Sequence, residues 1–269
     1  MSKPPALVVP DYLRLRQCRH GPMLYPKGDA YVGRSLELYG EYSEAEVDLF
    51  RFLIKPGDMV VEAGANLGSL TLPLARLVGP AGRVLAFEPQ RSMHTLLCAN
   101  AALNGLSNIN AERMALGETD GTTTVPVAQW DASGNFGGIA VGEGKGEVCA
   151  QARIDSWGLQ RLNFIKIDVE GAELGVINGG AETIRRLRPA MLVENDRRDR
   201  AAALISAITA LGYECWWHLA PLFNPSNYDG KTENVFGRMV SINMLCLPEG
   251  AGIEVKGIPR VTSPDNYPL

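Results

Sequence analysis

Short, almost wholly apolar segments alternate with longer amphipathic segments along most of this 269-residue chain, and this alternation constrains the fold more than any other feature. Strands of a parallel sheet have such a composition because helices cover both faces of the sheet. The pattern predicts seven strands, at 59–64, 83–89, 109–116, 164–168, 190–195, 213–218 and 240–247. It predicts helices between them at 69–78, 91–105, 171–187 and 198–211, the third of which is interrupted by Gly179-Gly180.

The connection between the last two predicted strands contains no helical segment, only a loop at 219–238. Parallel neighbours need a crossover connection, so two strands joined by a loop alone are predicted to run antiparallel. The sequence therefore predicts an α/β fold with a mostly parallel seven-stranded sheet, an antiparallel last strand and helices on both faces.

The chain is predicted to consist of an N-terminal cap segment at 1–42, one domain at 43–248 and a C-terminal tail at 249–269. The domain is predicted to contain an insert at 117–150. The cap segment is predicted to be irregular, the glycine-rich insert to form a loose hairpin, and the proline-containing tail to be a surface strap or disordered. The domain is predicted to begin with an amphipathic helix that ends before Pro56. Ser43 is its predicted N-cap, with Glu46 at the spacing of a capping box.

Composition excludes several classes of partner. A formal net charge of −4 argues against a protein that neutralises the phosphates of nucleic acid. No segment approaches the roughly 20 apolar residues of a membrane span, and the N-terminus lacks the pattern of a signal peptide. The five cysteines are scattered, as expected for reduced thiols in a cytoplasmic protein. The oligomeric state stays open, with a homodimer among the alternatives.

The first predicted strand runs into a glycine-containing turn, in the stretch VVEAGANLG at 60–68. Gly64 and Gly68 permit a sharp turn and let a ligand approach the backbone. The spacing is G-x-N-x-G, with Asn66 in place of the middle glycine of the dinucleotide fingerprint G-x-G-x-x-G. A tight turn without a ligand is the alternative interpretation.

The second predicted strand ends in Phe87-Glu88-Pro89, and Glu88 lies twenty residues after Gly68. A carboxylate at this strand end can accept hydrogen bonds from both hydroxyl groups of a ribose. A surface carboxylate without a ligand is the alternative. Together, the turn and Glu88 indicate a ligand that contains adenosine.

Acidic residues follow the fourth predicted strand, in the sequence NFIKIDVEGAE. The strand order of such folds places Asp168, Glu170 and Glu173 beside the glycine turn. Carboxylates would repel a pyrophosphate, whereas they suit the sulfonium and ammonium groups of S-adenosylmethionine. Glu62 adds another acid beneath the turn. This cluster and Asn66 disfavour a nicotinamide dinucleotide.

The segments VVEAGANLG, VLAFEP, MALGE, FIKIDVEGAELGVINGG and PAMLVEN occur in this order, and together they resemble the FkbM family of S-adenosylmethionine-dependent methyltransferases. The resemblance covers roughly 30–250. It implies a class I methyltransferase fold, which is Rossmann-like, and O-methylation of a small molecule such as a sugar or a polyketide. It departs at Glu62, where many relatives have aspartate, and at Leu67, where isoleucine is common.

Carried over by position, the resemblance implies a set of residues for each part of the cofactor. Glu88 would bind the ribose, and Met114 and Ala115 would lie near the adenine. The methionine half would be held by Glu62, Gly64, Asn66 and Gly68, and Ala65 and Asp168 would also bind the cofactor.

Three residues at predicted strand ends are candidates for catalysis: Asp168, Glu194 and His218. Methyl transfer to a hydroxyl group needs alignment of the acceptor and removal of its proton. His218 is a candidate base, although it could instead be a packed strand residue, and Asp168 could instead cap the following helix. Asp168, Glu194 and Asn195 form an alternative half-shell of oxygen ligands for Mg²⁺.

The leading hypothesis is an O-methyltransferase that acts on the hydroxyl group of a small molecule. A nicotinamide-dependent oxidoreductase and a non-catalytic interaction module with the same fold are the alternatives. The wall of the acceptor pocket is predicted to include aromatic residues of the cap segment and of the loop at 219–238, with one arginine: Tyr39, Tyr42, Arg34, Phe223, Tyr228 and Phe236.

Overall fold

The computed structural model describes residues 9–127, 133–138, 142 and 145–268. Its strands are β1 Leu13–Cys18, β2 Gly21–Pro26, β3 Met59–Ala63, β4 Arg83–Phe87, β5 Ile109–Glu112, β6 Met114–Leu116, β7 Gly121–Val125, β8 Glu147–Ala152, β9 Phe164–Ile167, β10 Ala190–Glu194, β11 Tyr213–Pro221 and β12 Val240–Pro248. Its α-helices are α1 Val32–Tyr39, α2 Glu44–Leu53, α3 Thr71–Val78, α4 Arg91–Leu103, α5 Glu173–Gly179, α6 Ala181–Leu187 and α7 Arg198–Ala210. A short 3-10 helix spans Ile154–Trp157.

Seven strands form the central sheet in the order β11-β12-β10-β9-β3-β4-β5. β12 lies between β10 and β11 and is antiparallel to both, whereas β10, β9, β3, β4 and β5 are parallel. Chain order reverses between β3 and β9, and ligands of open α/β sheets bind at such a point. The predicted fold class, including the antiparallel last strand, is confirmed.

Two apolar layers bury the sheet. Helices α2 and α3 and part of α4 cover one face, where Val60, Phe164 and Leu192 of the sheet pack against Phe50 and Leu74. Helices α5, α6 and α7 cover the other face, which holds the larger cluster. Because side chains alternate along a strand, the sequence of β3 and β9 decides which residues reach each layer.

Two predicted strands differ from the observed ones. The third is divided at Arg113: β5 belongs to the central sheet, and β6 pairs with β8 in a separate three-stranded sheet with β7. The sixth continues to Pro221, three residues beyond its predicted end at His218, because it pairs with β12 over nine residues. Both errors arise from pairing partners that are distant in sequence.

The prediction that the N-terminal segment is irregular is wrong. β1 and β2 form an antiparallel hairpin, and α1 follows it. The hairpin buries Met23 and Tyr25 in a cluster that includes Met93 and Leu96 of α4. β1, with the sequence LRLRQC, alternates apolar and basic residues over its first four positions, a strand signal that the prediction overlooked, whereas β2 carries two prolines and lacks such alternation.

The insert agrees with its prediction only in part. β7 and β8 are antiparallel, with Thr123 opposite Cys149. Much of the predicted loose hairpin at 136–148 lies outside the described residues.

Helix α2 begins where the capping-box spacing predicted, but its N-terminal hydrogen bond is different. The Ser43 hydroxyl group donates to the Glu46 carboxylate at 2.8 Å, and Ser43 has a left-handed backbone with φ of 49°. No side chain caps the helix. Glu46 is thereby held inside the protein, against the central sheet.

The tail is a strap along the edge of β11, one of the two predicted alternatives. The Trp217 amide donates to the Pro259 carbonyl and the Val261 amide to the Cys215 carbonyl, each at 2.8 Å. These bonds cover an edge strand that would otherwise expose unpaired backbone groups. Among the helices of the described residues, none has the length and apolar character needed to cross a bilayer.

Candidate active site

A cavity of about 240 Å³ opens at the carboxyl ends of β3 and β9, where chain order in the sheet reverses. A narrower slot of about 40 Å³ lies beside it. The cavity and the slot share five lining residues: Gly64, Glu88, Gly137, Asp168 and Glu170. The glycine turn and the two acidic strand ends that the sequence singled out therefore meet at one place.

The backbone amides of the glycine turn are all engaged within the protein. The Gly64 and Ala65 amides donate to the Phe87 carbonyl at 2.9 and 3.0 Å. The amide of Asn66 donates to Glu88 at 2.8 Å. The next two amides, of Leu67 and Gly68, donate to the Asn66 side chain and to the Ala65 carbonyl. Phosphate binding at such a turn depends on free amides pointing at the ligand. Residues 64–68 offer none, whereas the amides of Ser69 and Leu70, which line the cavity before α3, have no hydrogen bond within the described residues.

The two glycines adopt the positive φ values that the predicted sharp turn requires, 83° and 91°, and both also serve packing. A Cβ atom on Gly64 would lie 1.7 Å from the Asp168 carbonyl oxygen, so the glycine lets β3 and β9 end side by side. A Cβ atom on Gly68 would lie 2.9 Å from the Leu97 side chain. Gly64 still lines the cavity; Gly68 is not among the described lining residues.

Glu88 is buried at the junction of the cavity and the slot. One carboxylate oxygen accepts the Asn66 amide and the other accepts the Gln90 amide, both at 2.8 Å. Each oxygen keeps a further lone pair for a ligand hydroxyl group. Burial raises the pKa of Glu88 to about 7, against the opposing effect of the two amides.

The slot has the character of an adenine site. Phe87, Met114, Ala115 and Leu116 supply apolar walls. Gln90, which the sequence did not single out, is 5% exposed and donates from Nε2 to the Phe136 carbonyl at 2.9 Å. Its Oε1 atom is buried and has no hydrogen-bond partner among the described residues. A buried acceptor without a donor, at a slot with several apolar lining residues, matches the exocyclic amino group of adenine.

Three carboxylates meet on the other side of the cavity. One oxygen atom from each of Asp168, Glu170 and Glu194 lies within 4.8 Å of the other two. Burial and then the charge of Asp168 raise the pKa of Glu194 well above its usual value. The Glu194 Oε2 atom is buried and unpartnered within the described part of the chain. Such a cluster attracts a cation or holds a proton.

Two of these three carboxylates already have a cationic partner. Lys166 Nζ lies 2.9 Å from Asp168, and Arg197 lies 3.1 Å from Glu170. Glu173, predicted to belong to the acidic cluster, instead folds back and accepts the amides of Val169 and Gly171. Its role is to hold the turn before α5.

Glu62 lies at the bottom of the cavity, on the face of the sheet that α2 covers. It is 1% exposed and accepts a hydrogen bond from the Thr71 hydroxyl group at 2.6 Å. Burial raises its pKa to about 7, and the charge of Lys166 opposes this shift. Ala65 and Asn66 line the cavity beside it.

His218 and Asn195 do not reach the cavity, which corrects two of the predictions. His218 lies three residues before the end of β11, where it is buried against the backbone of Ala45, and burial lowers its pKa. Asn195 is turned toward the opposite face of the sheet and donates to the Met244 sulfur atom. The predicted half-shell of Asp168, Glu194 and Asn195 is therefore not formed.

The mouth of the cavity is walled by two segments. Tyr31, Val32 and Tyr42 come from the N-terminal segment, and Leu222 and residues 239–242 come from the ends of the long loop between β11 and β12. Of the predicted wall residues, only Tyr42 lines the cavity in the described structure. A second row behind the wall is formed by Tyr39, which packs on Phe223 and Phe236.

The family model of the Methyltransferase FkbM domain matches residues 62–215, more than half of the chain. The chain belongs to the FkbM methyltransferase family. It is similar to methyltransferase sdnD of Sordaria araneosa, 30% identical over 155 residues that make up 45% of this chain and 59% of that protein. It is also similar to the TRM61 catalytic subunit of a tRNA (adenine(58)-N(1))-methyltransferase of Cryptococcus neoformans, 32% identical over 90 residues, 30% of this chain and 21% of that protein.

The crystal structure of an FkbM methyltransferase from Methylobacillus flagellatus superimposes on 74% of this chain and 50% of that chain, with 16% identity and a TM-score of 0.47. The chain thus spans less than two thirds of the length of either curated relative, sdnD or TRM61.

The FkbM match divides the cavity into two parts. The floor and the slot, from Glu62 to Glu194, lie inside the matched range. The walls at Tyr31, Tyr42 and Val240 lie outside it. The family match therefore covers the floor of the cavity and does not extend to these wall residues.

Three of the residues that shape this FkbM site were not predicted from the sequence. Gln90 and Gly137 line the slot, and Lys166 lies under the floor. Only Lys166 had a visible signal, a basic residue inside the apolar strand FIKID. Gln90 and Gly137 depend on the conformation of the insert, which local pattern does not determine.

Proposed function

We propose that the protein is an S-adenosylmethionine-dependent methyltransferase that methylates a hydroxyl group of a small molecule. The observation that carries the proposal is the carboxylate cluster that lies with Glu88 and the glycine turn at the same end of the cavity. The negative charge of this cluster opposes a pyrophosphate and favours a cationic adenosine compound.

The residues fit the parts of that cofactor. Glu88 has lone pairs for the ribose hydroxyl groups, and Gln90 Oε1 is placed for the adenine amino group. Asp168 and Glu194 face the region between the floor and the mouth, where the methionine end and the acceptor would meet. When bound, the cofactor supplies an electrophilic methyl group.

Glu194 is the side chain best placed to handle the acceptor's proton. Its Oε2 atom is buried and without a partner, and its raised pKa makes it a stronger base than an exposed glutamate. A cation bound at the cluster would favour the ionised form of Glu194, whose proton would pass to solvent, and the Oε2 atom could then accept the hydroxyl proton. Asp168, fixed by Lys166, would orient the same hydroxyl group.

A small acceptor is favoured over RNA by the charge of the mouth. Besides Glu194, the acidic residue Asp196 lines it, and Lys166 is the single basic side chain among the described lining residues. A polynucleotide acceptor would bring phosphates to this surface. The similarity to TRM61 covers 30% of this chain, so it supports a shared floor more than a shared acceptor.

Magnesium is left out of the proposal. The ligand set predicted for it is not formed, and Asp168 and Glu170 are each paired with a basic side chain. The acceptor's proton can be handled by Glu194 without a metal.

Calorimetric titration tests the cofactor assignment. We expect S-adenosylhomocysteine to bind with a Kd on the order of micromolar, and NAD to bind at least about a hundredfold more weakly. The reason is repulsion between the carboxylate cluster and the pyrophosphate of NAD. Tight binding of NAD alone would replace this proposal with an oxidoreductase, and binding of neither would favour an interaction module.

The role of Gln90 gives a separate prediction. Because Oε1 can accept from adenine but not donate to a carbonyl, S-adenosylhomocysteine should bind at least about tenfold more tightly than S-inosylhomocysteine, in which a carbonyl replaces the amino group. In Gln90→Met, which has similar volume, the two ligands should bind within about threefold of each other, as measured by competition. A preference that survives in the variant would assign adenine recognition to another residue.

A further inference from the structure

Lys166 is the least expected residue of the site, because it is a basic side chain in the middle of a buried parallel strand. It is 3% exposed and lies beside Glu62 in the pairing of β9 with β3. A buried ammonium group is strongly unfavourable unless carboxylates surround it. The contacts of Lys166 therefore indicate its role in the site.

Carboxylates approach Lys166 from three elements. Its Nζ atom donates to Asp168, two residues further along, at 2.9 Å. Glu46 of α2 and Glu62 of β3 also act on it electrostatically. Burial alone would lower the pKa of Lys166, but these three negative charges outweigh burial and raise it. The group is therefore an ammonium ion throughout the physiological range.

The cavity side of this cluster carries further titratable groups. Glu170 and Glu194 meet Asp168 there, and Tyr42, which precedes α2, lies close enough for the charges of Asp168 and Glu46 to act on it. Without Lys166, Asp168 would lose its paired cation, and Arg197, which is paired with Glu170, would be the one left at the cluster among the described residues. The carboxylates would then keep protons at neutral pH, as like charges do at close range.

We propose that Lys166 is a positioning residue that keeps Asp168 ionised and fixed beneath the cofactor, so that the cavity distinguishes S-adenosylmethionine from S-adenosylhomocysteine by charge. The inference rests on the proposed function. The two compounds differ by one methyl group and one positive charge at sulfur. An ionised Asp168 attracts the sulfonium ion and has no such attraction for the neutral thioether, which favours release of the product.

The test measures the preference for the charged cofactor, defined as Kd for S-adenosylhomocysteine divided by Kd for S-adenosylmethionine, by calorimetry. In Lys166→Met we expect this preference to fall roughly tenfold at pH 7 and to return by pH 9, when the carboxyl groups lose their protons. A residue that only supports the fold would lower both affinities together and would show no recovery at high pH.

Asp168→Asn provides the second arm. If Lys166 acts through Asp168, adding Lys166→Met to this background should change the preference by no more than about twofold at pH 7. Lys55→Met is the matched control, since it removes the same charge from an exposed lysine in the connection between α2 and β3, which does not line the cavity. It should leave the preference unchanged.

If Lys166→Met does not fold, the inference is tested with Lys166→Gln and with a measurement on the native protein. With lysine labelled by ¹⁵N, the Nζ signal of Lys166 should remain that of an ammonium ion up to pH 10. Three outcomes would overturn the inference and leave the methyltransferase proposal standing. They are a neutral Lys166 amine below pH 9, an unchanged cofactor preference in both Lys166→Met and Lys166→Gln, and an equal effect of Lys166→Met in the native and Asp168→Asn backgrounds. If the native protein binds neither compound, both proposals fail.

Discussion

Replacing Glu88 with alanine should weaken the binding of S-adenosylhomocysteine at least about a hundredfold, which corresponds to about 3 kcal/mol. Glu88 would accept both ribose hydroxyl groups, and hydrogen bonds to a buried carboxylate are among the stronger ones. The same carboxylate also holds the Asn66 and Gln90 amides, so its loss loosens the glycine turn and the start of α4. Calorimetry on the folded variant measures the loss.

Graded variants separate the two effects. Glu88→Gln keeps the volume and one acceptor oxygen and should lose roughly tenfold in affinity. Glu182→Ala, an exposed acid on α6, should bind as the native protein does. A folded Glu88→Ala protein that binds S-adenosylhomocysteine within threefold of the native value would show that the ribose lies elsewhere.

The floor of the cavity was predictable from the sequence because its residues occupy strand ends. Asp168, Glu88 and Glu194 each follow an apolar run, and the carboxyl ends of parallel strands share one edge of the sheet. Once the alternation identified the sheet, these side chains had to lie near one another. Their partners were not predictable, since Lys166 and Gln90 gain their roles from contacts across the fold.

His218 shows where such reasoning fails. A strand end inferred from local pattern is uncertain by a few residues, and pairing of β11 with β12 extends the strand to Pro221. With the strand three residues longer, His218 moves from the tip into the body of the sheet. Asn195 fails for a related reason, because the alternation of side chains along the strand turns it away from Glu194.

The glycine turn lies where it was predicted, and Gly64 has an additional role that the pattern did not indicate. Its missing Cβ makes room for the Asp168 backbone. The close approach brings Asp168 and the turn together, which the cofactor site requires. The glycine therefore contributes to ligand binding through the packing of two strands.

Buried carboxylates make the stability of the ligand-free protein depend on pH. The pKa values of Glu62, Glu88 and Glu170 are each raised to about 7, chiefly by burial. The folded protein thus holds more protons than the unfolded chain between about pH 4.5 and 7, and stability falls as pH rises through this range. The lowered pKa of His218 acts in the opposite direction, but only below about pH 6.5.

Between pH 6.5 and 8, the free energy of unfolding should therefore fall by about 2 kcal/mol, and Tm by several degrees. Glu62→Gln, which keeps the contact with Thr71, should remove about a third of this fall because one of the three groups is lost. S-adenosylmethionine should raise Tm more at pH 8 than at pH 6.5, since a cation binds the ionised carboxylates. Scanning calorimetry at both pH values checks each point, and a Tm that rises with pH in the ligand-free protein would show that these carboxylates are ionised well below pH 7.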